Sequence, residues 1–253
     1  MIATTPQELA SLRQAGKILA HALREVAKLV KPGVTTAALD LAAEKLVRDA
    51  GASPSFLNYK PEGASYPFPA ALCVSINDEV VHGIPSEKRV IQEGDLVMLD
   101  LGLSLDGYFA DAAVTLMAGQ GDSKSKILIE ATQEALREAV RLARPGARMG
   151  DLGAVIEATA KKYGLGVVEE LGGHSLGQVP HEPPFVPNVG KAGKGVVLEE
   201  GLVLAIEPIF TLGQGEIELA PDEWTYVTAD GSRSAETEHT ILITKDGAEI
   251  LTA

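Results

Sequence analysis

Asp100 and Asp111 lie within the apolar runs of the stretch Glu93–Met117, which the sequence predicts to be a β-hairpin. Asp106 and Gly107 favour a two-residue type I′ turn, because both central positions of that turn need a positive φ. Counting outward from this turn places Asp100 and Asp111 on one face, diagonally across the ladder, with Cα atoms roughly 7–8 Å apart. One small cation or a pair of cations could bridge them. The alternative is that one aspartate sits at a solvated strand end. Buried without a partner, each carboxylate would lose several kcal/mol of hydration or take up a proton.

Further acids and histidines lie later in the chain. Glu207 interrupts the apolar stretch 201–210, which we predict to be a strand, and is followed by a proline that cannot donate a ladder hydrogen bond. Glu238 opens a β-branched stretch, where an exposed strand start is the alternative. His174 lies between glycines that allow a tight backbone, while His239 alternates to the opposite face from Glu238 and is expected to be structural. A lone histidine is more often a hydrogen-bonded core residue than a ligand, and this alternative applies to His174, His82 and His181.

Taken together, two aspartates, two glutamates and one histidine suit a pair of divalent first-row cations better than one tetrahedral zinc. The two remaining histidines would be free for catalysis. Two ions ~3.5–4 Å apart can hold a bridging water, lower its pKa and polarise a scissile carbonyl. The residue types therefore point to metal-dependent hydrolysis.

The elements that must carry these residues occur in two similar sets. Capping residues and helical spacing predict one helix from Pro6 to about Val30 and another ending near Gly51. A second helix pair follows, and the helix breakers Pro32-Gly33 and Pro145-Gly146 are separated by 113 positions. Glu93-Gly94 recurs as Glu200-Gly201 at a spacing of 107, which aligns Asp100 with Glu207. We expect an α/β chain with two related halves, each supplying one acid-bearing strand.

Composition limits the possible partners and compartments. The chain has 253 residues and a formal net charge of −13, so its surface is expected to repel nucleic acid and anionic membranes. The single cysteine, Cys73, excludes an intrachain disulfide and fits a reducing compartment. The first residues lack a basic start with an apolar run, and no stretch reaches membrane-spanning length. We therefore expect a cytoplasmic protein.

Five motifs together resemble the type I, bacterial-style methionine aminopeptidases: V-H-G-I-P at 81–85, D-L-G with D-G-Y-F-A-D between 100 and 111, G-H-S-L-G with H-E-P-P between 173 and 184, I-E-P at 206–208 and S-A-E-T-E-H-T at 234–240. The resemblance covers nearly the whole chain. It implies the pseudo-two-fold pita-bread fold, in which two helix pairs cover a central antiparallel sheet. It also implies one catalytic domain over residues 1–253, with halves of roughly 1–120 and 121–253.

The resemblance also assigns roles to individual residues. Asp111 and Glu238 would bridge two divalent ions (Co, Mn, Fe or Zn), and Glu207 would also take the proton of the attacking water. His82 would contact the nitrogen side of the scissile bond, and His181 the carbonyl oxygen. The implied metal ligands are Asp100, Asp111, His174, Glu207 and Glu238.

The implied reaction is removal of the initiator methionine from new chains whose second residue is small. The implied partners are the N-terminal peptides of nascent proteins and, transiently, the ribosome, for a monomeric enzyme. Phe68, Cys73 and Trp224 are candidate walls of the methionine pocket, with core packing as the alternative.

The chain departs from the family pattern around the pocket. Ser175 replaces the usual glycine after the metal histidine, Pro180 replaces an aromatic residue or methionine, and Ser65 replaces a frequent tyrosine. The alternatives left open are an Xaa-Pro dipeptidase or aminopeptidase of the same fold, which would use the same ligands, and a metal-free pita-bread binding module. Against the first, such relatives usually carry an additional N-terminal domain. Against the second, all five ligands and both histidines are present.

Overall fold

A computed structural model describes all 253 residues. Its four helices are α1 (Pro6–Ala27), α2 (Thr36–Asp49), α3 (Ser123–Leu142) and α4 (Met149–Tyr163). The strands are, in chain order, β1 (Ser53–Pro54), β2 (Leu72–Ile76), β3 (Glu79–Val81), β4 (Leu96–Leu105), β5 (Tyr108–Met117), β6 (Gly166–Val167), β7 (Gly172–Ser175), β8 (Glu182–Pro187), β9 (Val203–Ile206), β10 (Ile209–Thr211), β11 (Ile217–Leu219), β12 (Tyr226–Thr228), β13 (Ser234–Glu236), β14 (His239–Thr244) and β15 (Gly247–Ile250). None of the helices is both long and apolar enough to cross a bilayer.

The helix ends follow the capping signals. Thr5 and Glu8 form a capping box at the start of α1, and Thr35 caps α2. The first helix ends at Ala27, three residues before the predicted Val30, because the chain turns ahead of Pro32. Gly164 ends α4 in the left-handed conformation that glycine adopts without strain.

The predicted hairpin is confirmed in type and register. Asp106 and Gly107 form its turn, with φ of 53° and 83°. Leu105 pairs with Tyr108, and Gly102 pairs with Asp111. The aspartates therefore lie diagonally across the β4–β5 ladder, as the counting predicts.

Two helix-covered sheets form the frame of the molecule. Helices α1 and α2 pack on the sheet of β1, β4, β2 and β5, and share one apolar core with it. Helices α3 and α4 pack on the five-stranded antiparallel sheet of β15, β14, β9, β7 and β8 and on the three-stranded sheet of β13, β10 and β6, and share a second core of similar size with them. This is the predicted α/β arrangement of antiparallel strands under two helix pairs. The assignment of one domain with halves of 1–120 and 121–253 stays a prediction.

The two sheets meet along β5 and the chain entering β14. Val114 bridges to Thr237, and the Glu238 amide donates to the Ala113 carbonyl at 2.9 Å. The buried Thr240 hydroxyl donates to the Asp111 carbonyl at 2.7 Å and accepts from the Asp111 amide at 2.9 Å. These bonds fix the two acid-bearing segments relative to one another.

The prediction of one continuous strand over 201–210 was wrong. Strand β9 ends at Ile206 and β10 begins at Ile209, so Glu207 lies in a break between them. The cause is Pro208, which has no amide hydrogen for the ladder. Glu238 similarly precedes β14 rather than opening it. Both glutamates project from strand ends.

We expect Thr240→Val to lower the free energy of unfolding by about 1–3 kcal/mol, because it leaves the Asp111 amide and carbonyl buried without a partner. Urea denaturation measures this value. Thr240→Ser is the matched control: it keeps the hydroxyl and removes one methyl, which costs about 0.8 kcal/mol. Equal losses in the two variants would show that packing, and not the hydroxyl bridge, joins the sheets here.

Candidate metal centre

The structure brings the five predicted ligands together from both sheets. Their ligand atoms fall into overlapping groups whose members lie within 4.8 Å of one another. Asp100, Asp111 and Glu238 form one group, and His174 and Glu207 form a second with Glu238. A third joins Asp111 to His174 and His181. Asp111, His174 and Glu238 each belong to two groups, so the groups form one continuous cluster.

His174 reaches this cluster because its strand packs closely on β9. A Cβ added at Gly173 would lie 2.1 Å from the Ala205 carbonyl oxygen, so only glycine fits before the histidine. Nδ1 of His174 lies 3.1 Å from the Ser175 carbonyl, to which it can only donate. In the neutral ring this leaves Nε2 with a free lone pair, 3.9 Å from Glu207 Oε1. The imidazole is thus presented to the carboxylates as an acceptor.

The carboxyl groups have no protein counter-charge. Asp100 Oδ1 and Asp111 Oδ1 are buried without a hydrogen-bond partner. No lysine or arginine forms an ion pair with any of the four acids. Buried carboxylates this close to one another are stable only with a cation or with bound protons. The residues present therefore fit divalent metal ions.

Burial and mutual repulsion raise the pKa of every acid in the cluster. Desolvation, reinforced by the Glu207 charge, raises the pKa of Asp100 to about 7. Desolvation and the Asp111 charge raise the pKa of Glu207 to about 8. The pKa values of Asp111 and Glu238 lie well above the usual range, again chiefly because of desolvation.

A fifth acidic side chain, Glu236, lines the same cavity and was not identified from the sequence. It is 2% exposed, and its Oε2 has no hydrogen-bond partner. Its carboxyl group contacts that of Glu207, and its pKa is raised well above the usual range, chiefly by burial. The signal was present in S-A-E-T-E-H-T, where two glutamates at i and i+2 can share one face of an extended chain.

His82 and His181 border the cluster as predicted. The His181 ring centroid lies 4.3 Å from that of His174, and the His82 ring lies 6.1 Å from that of Trp224. Burial lowers the pKa of His82 to about 4 and also lowers that of His181. Both imidazoles are therefore neutral at pH 7, and each can donate one ring hydrogen and offer one lone pair.

The acids lie at one end of a cavity of about 270 Å³ with an aromatic wall. Phe68, Cys73 and Trp224 all line it and are almost fully buried, with the Phe68 and Trp224 rings edge to face at 5.2 Å. Four further residues line it, namely Phe56, Tyr59, Pro61 and Val81. They come mainly from the loop before β2, which carries no periodic pattern.

The three departures from the family pattern lie outside this cavity wall. Ser65 is exposed, and Pro180 does not line the cavity. Ser175 is fully buried on the other side of β7, where its hydroxyl donates to the Val203 carbonyl at 3.0 Å. The aromatic wall is therefore formed without them.

Comparisons with known proteins agree with this geometry. Residues 10–245 match metallopeptidase family M24. The chain is 46% identical over 250 residues to a methionine aminopeptidase of Aquifex aeolicus, covering 97% of this chain and 96% of that protein. The crystal structure of methionine aminopeptidase from Thermotoga maritima superposes with a TM-score of 0.94 at 42% identity, over 100% of this chain and 99% of that one.

A prolidase from Pyrococcus horikoshii superposes less closely, with a TM-score of 0.75 at 26% identity. That match covers 100% of this chain but only 63% of the prolidase. The M24 match spans nearly the whole chain, and the similarity to the Aquifex protein is well above the level at which relatives share a family. The chain belongs to metallopeptidase family M24.

Proposed function

We propose that this protein is a metal-dependent methionine aminopeptidase, which hydrolyses the initiator methionine from proteins whose second residue is small. The proposal rests chiefly on one observation: the acids and histidines of the cluster line the same cavity as the aromatic residues. An unbranched thioether side chain suits such a wall, because sulfur contacts aromatic rings favourably. The full-length similarity to methionine aminopeptidases supports the same activity.

In this proposal Asp100, Asp111, His174, Glu207 and Glu238 hold two divalent ions, with cobalt, manganese, iron and zinc all compatible with the ligands. Such ions lower the pKa of a bound water and polarise a carbonyl group. The partnerless oxygens of Asp100 and Asp111 support their assignment as ligands.

The chain's own groups would then move the protons and orient the substrate. Glu207 would accept the proton of the attacking water, a role open to its carboxylate because bound cations would keep it ionised. His181, neutral at pH 7, donates a hydrogen bond to the carbonyl oxygen as negative charge develops there. His82 contacts the nitrogen side of the scissile bond. Phe68, Cys73 and Trp224 enclose the methionine side chain.

Two alternatives from the sequence fare less well. An Xaa-Pro peptidase is supported less well, because the prolidase superposes with a TM-score of 0.75 at 26% identity, against 0.94 at 42% identity for the Thermotoga methionine aminopeptidase. A metal-free binding module would have no need for buried acids that lack counter-charges. We further propose that the enzyme is a cytoplasmic monomer that acts on nascent N-terminal peptides and meets the ribosome transiently.

Substrate choice tests the proposed activity directly. We expect the manganese-loaded enzyme to cleave Met-Ala-Ser at least about 100-fold more efficiently than Ala-Pro peptides, because a site shaped for one side chain and one scissile bond discriminates at this level. Liberated amino acid is measured by chromatography. Faster cleavage of Ala-Pro would contradict the methionine assignment, and no cleavage of either by metal-loaded protein would favour the binding module.

Removing a shared ligand tests the site. We expect Asp111→Asn to lower kcat/KM by at least about 100-fold, equivalent to about 2.7 kcal/mol, because it weakens the hold on both ions. Metal content after gel filtration should fall in parallel. Asp95→Asn, which alters an aspartate outside the cavity, is the matched control. An Asp111→Asn enzyme with normal metal content and turnover would exclude Asp111 as a ligand.

In the metal-free protein, the free energy of unfolding should decrease as the pH rises. In the metal-free protein the folded-state pKa values of Asp100, about 7, and Glu207, about 8, exceed the unfolded values. The folded state then binds more protons, so stability is lost as pH rises through those values. The buried histidines have lowered pKa values in the folded state, so their contribution to stability increases as the pH rises, but only below about pH 6.5.

We therefore expect the free energy of unfolding of metal-free protein to drop by about 2–3 kcal/mol between pH 6.5 and 8.5. Added manganese should remove most of this slope, because it favours the ionised carboxylates. Chemical denaturation at each pH measures the effect. Stability that stays constant or rises over this window without metal would contradict the assigned burial of these acids.

A further inference from the structure

A second cavity, of about 650 Å³, shares one lining residue, Glu238, with the aromatic cavity. It is a groove between helices α1 and α3, closed beneath by β5 and by residues Thr237 to His239. Small-molecule sites in proteins typically measure roughly 300–1,000 Å³ and are mostly apolar with a few placed polar groups. This groove has the size and composition of such a site, and we name it the α1–α3 groove.

The walls of the α1–α3 groove are formed by equivalent positions of the two helices. Each of the following pairs is separated by 113 positions, the spacing that relates the two Pro-Gly helix breakers: Ala20 and Gln133, Leu23 and Leu136, Arg24 and Arg137, Ala27 and Val140. The groove therefore presents the same face of each helix, with leucines towards the floor and one arginine from each side.

The two arginines are exposed and unpaired. Neither Arg24 nor Arg137 forms an ion pair, and neither guanidinium donates a hydrogen bond. Lys28, also at the groove, is instead paired with Glu25 at 2.6 Å. The carboxylate of Ala253 lies at the rim and forms no ion pair. Arg24 and Arg137 therefore offer two unpaired positive charges at a groove that also contains the Ala253 carboxylate and Glu238, in a chain of net charge −13.

We propose that the α1–α3 groove binds an anionic amphiphile, with a carboxylate or phosphate head group between Arg24 and Arg137 and an aliphatic chain over Leu23, Leu136 and Val140. Guanidinium groups bind both head groups through charge-assisted hydrogen bonds. The apolar floor removes the chain from water, with a gain that grows with each buried methylene. This site is separate from the proposed peptidase reaction.

Calorimetric titration of the metal-loaded full chain tests the proposal. The probes are decanoate and decyl phosphate, with decanol as the uncharged comparison and butyrate as the short-chain comparison. We expect saturable binding of one decanoate or decyl phosphate per chain, at least about tenfold tighter than decanol or butyrate. The head group that binds more tightly identifies the ligand class.

Variants separate this groove from other sites. Arg24→Ala with Arg137→Ala should weaken binding at least about tenfold, and Gln133→Trp should weaken it by filling the groove. Both arginines are exposed on helices that tolerate alanine, and circular dichroism checks folding. Arg141→Ala, which removes an exposed arginine paired with Glu138 outside the groove, should change nothing.

Binding should also persist in metal-free protein, because the groove does not use the ions. The proposal is wrong if the probes do not saturate, if decanol binds as tightly as decanoate, or if the double arginine variant binds normally. Binding that disappears with the metal would place the carboxylate at the ions instead.

Discussion

The arrangement of the whole chain depends on one electrostatic constraint. Asp100, Asp111, Glu207, Glu236 and Glu238 are gathered at one end of a cavity with no lysine or arginine paired to them. Acidic groups so close together repel one another and lose hydration, which raises the pKa of each. A fold that keeps such a cluster must offset its cost elsewhere, and divalent cations are the partners that do so while the carboxyl groups stay ionised.

The free-energy cost of the acid cluster is offset by two separate apolar cores, one under each helix pair. The sheets that form these cores meet where the acids project. Each acid sits on or beside a strand that a core holds in place, and the seam is closed by backbone bonds and by the Thr240 hydroxyl. The positions of the carboxyl groups are therefore fixed by packing and not by their own interactions. The α1–α3 groove lies between one helix of each pair.

The hairpin register and the helix starts depend on local rules and could be predicted from the sequence. The Asp106-Gly107 turn fixed the hairpin register, and capping residues fixed the helix starts. The family resemblance and the pita-bread fold are confirmed. The break at Glu207-Pro208 was missed, because an apolar run reads as one strand although Pro208 removes a donor. Glu236 and the α1–α3 groove were missed because they depend on which faces meet in three dimensions, and periodicity within one segment does not contain that information.

Anomalous diffraction from crystals of the manganese-loaded protein tests the central claim most directly, since it locates ions without assuming their ligands. If the acid cluster exists to hold cations, two anomalous peaks will lie between the two sheets, one beside Asp100 and one beside His174, with Asp111 and Glu238 contacting both. Peaks confined to the exposed surface, or an ordered cluster that stays metal-free at saturating manganese, would contradict it.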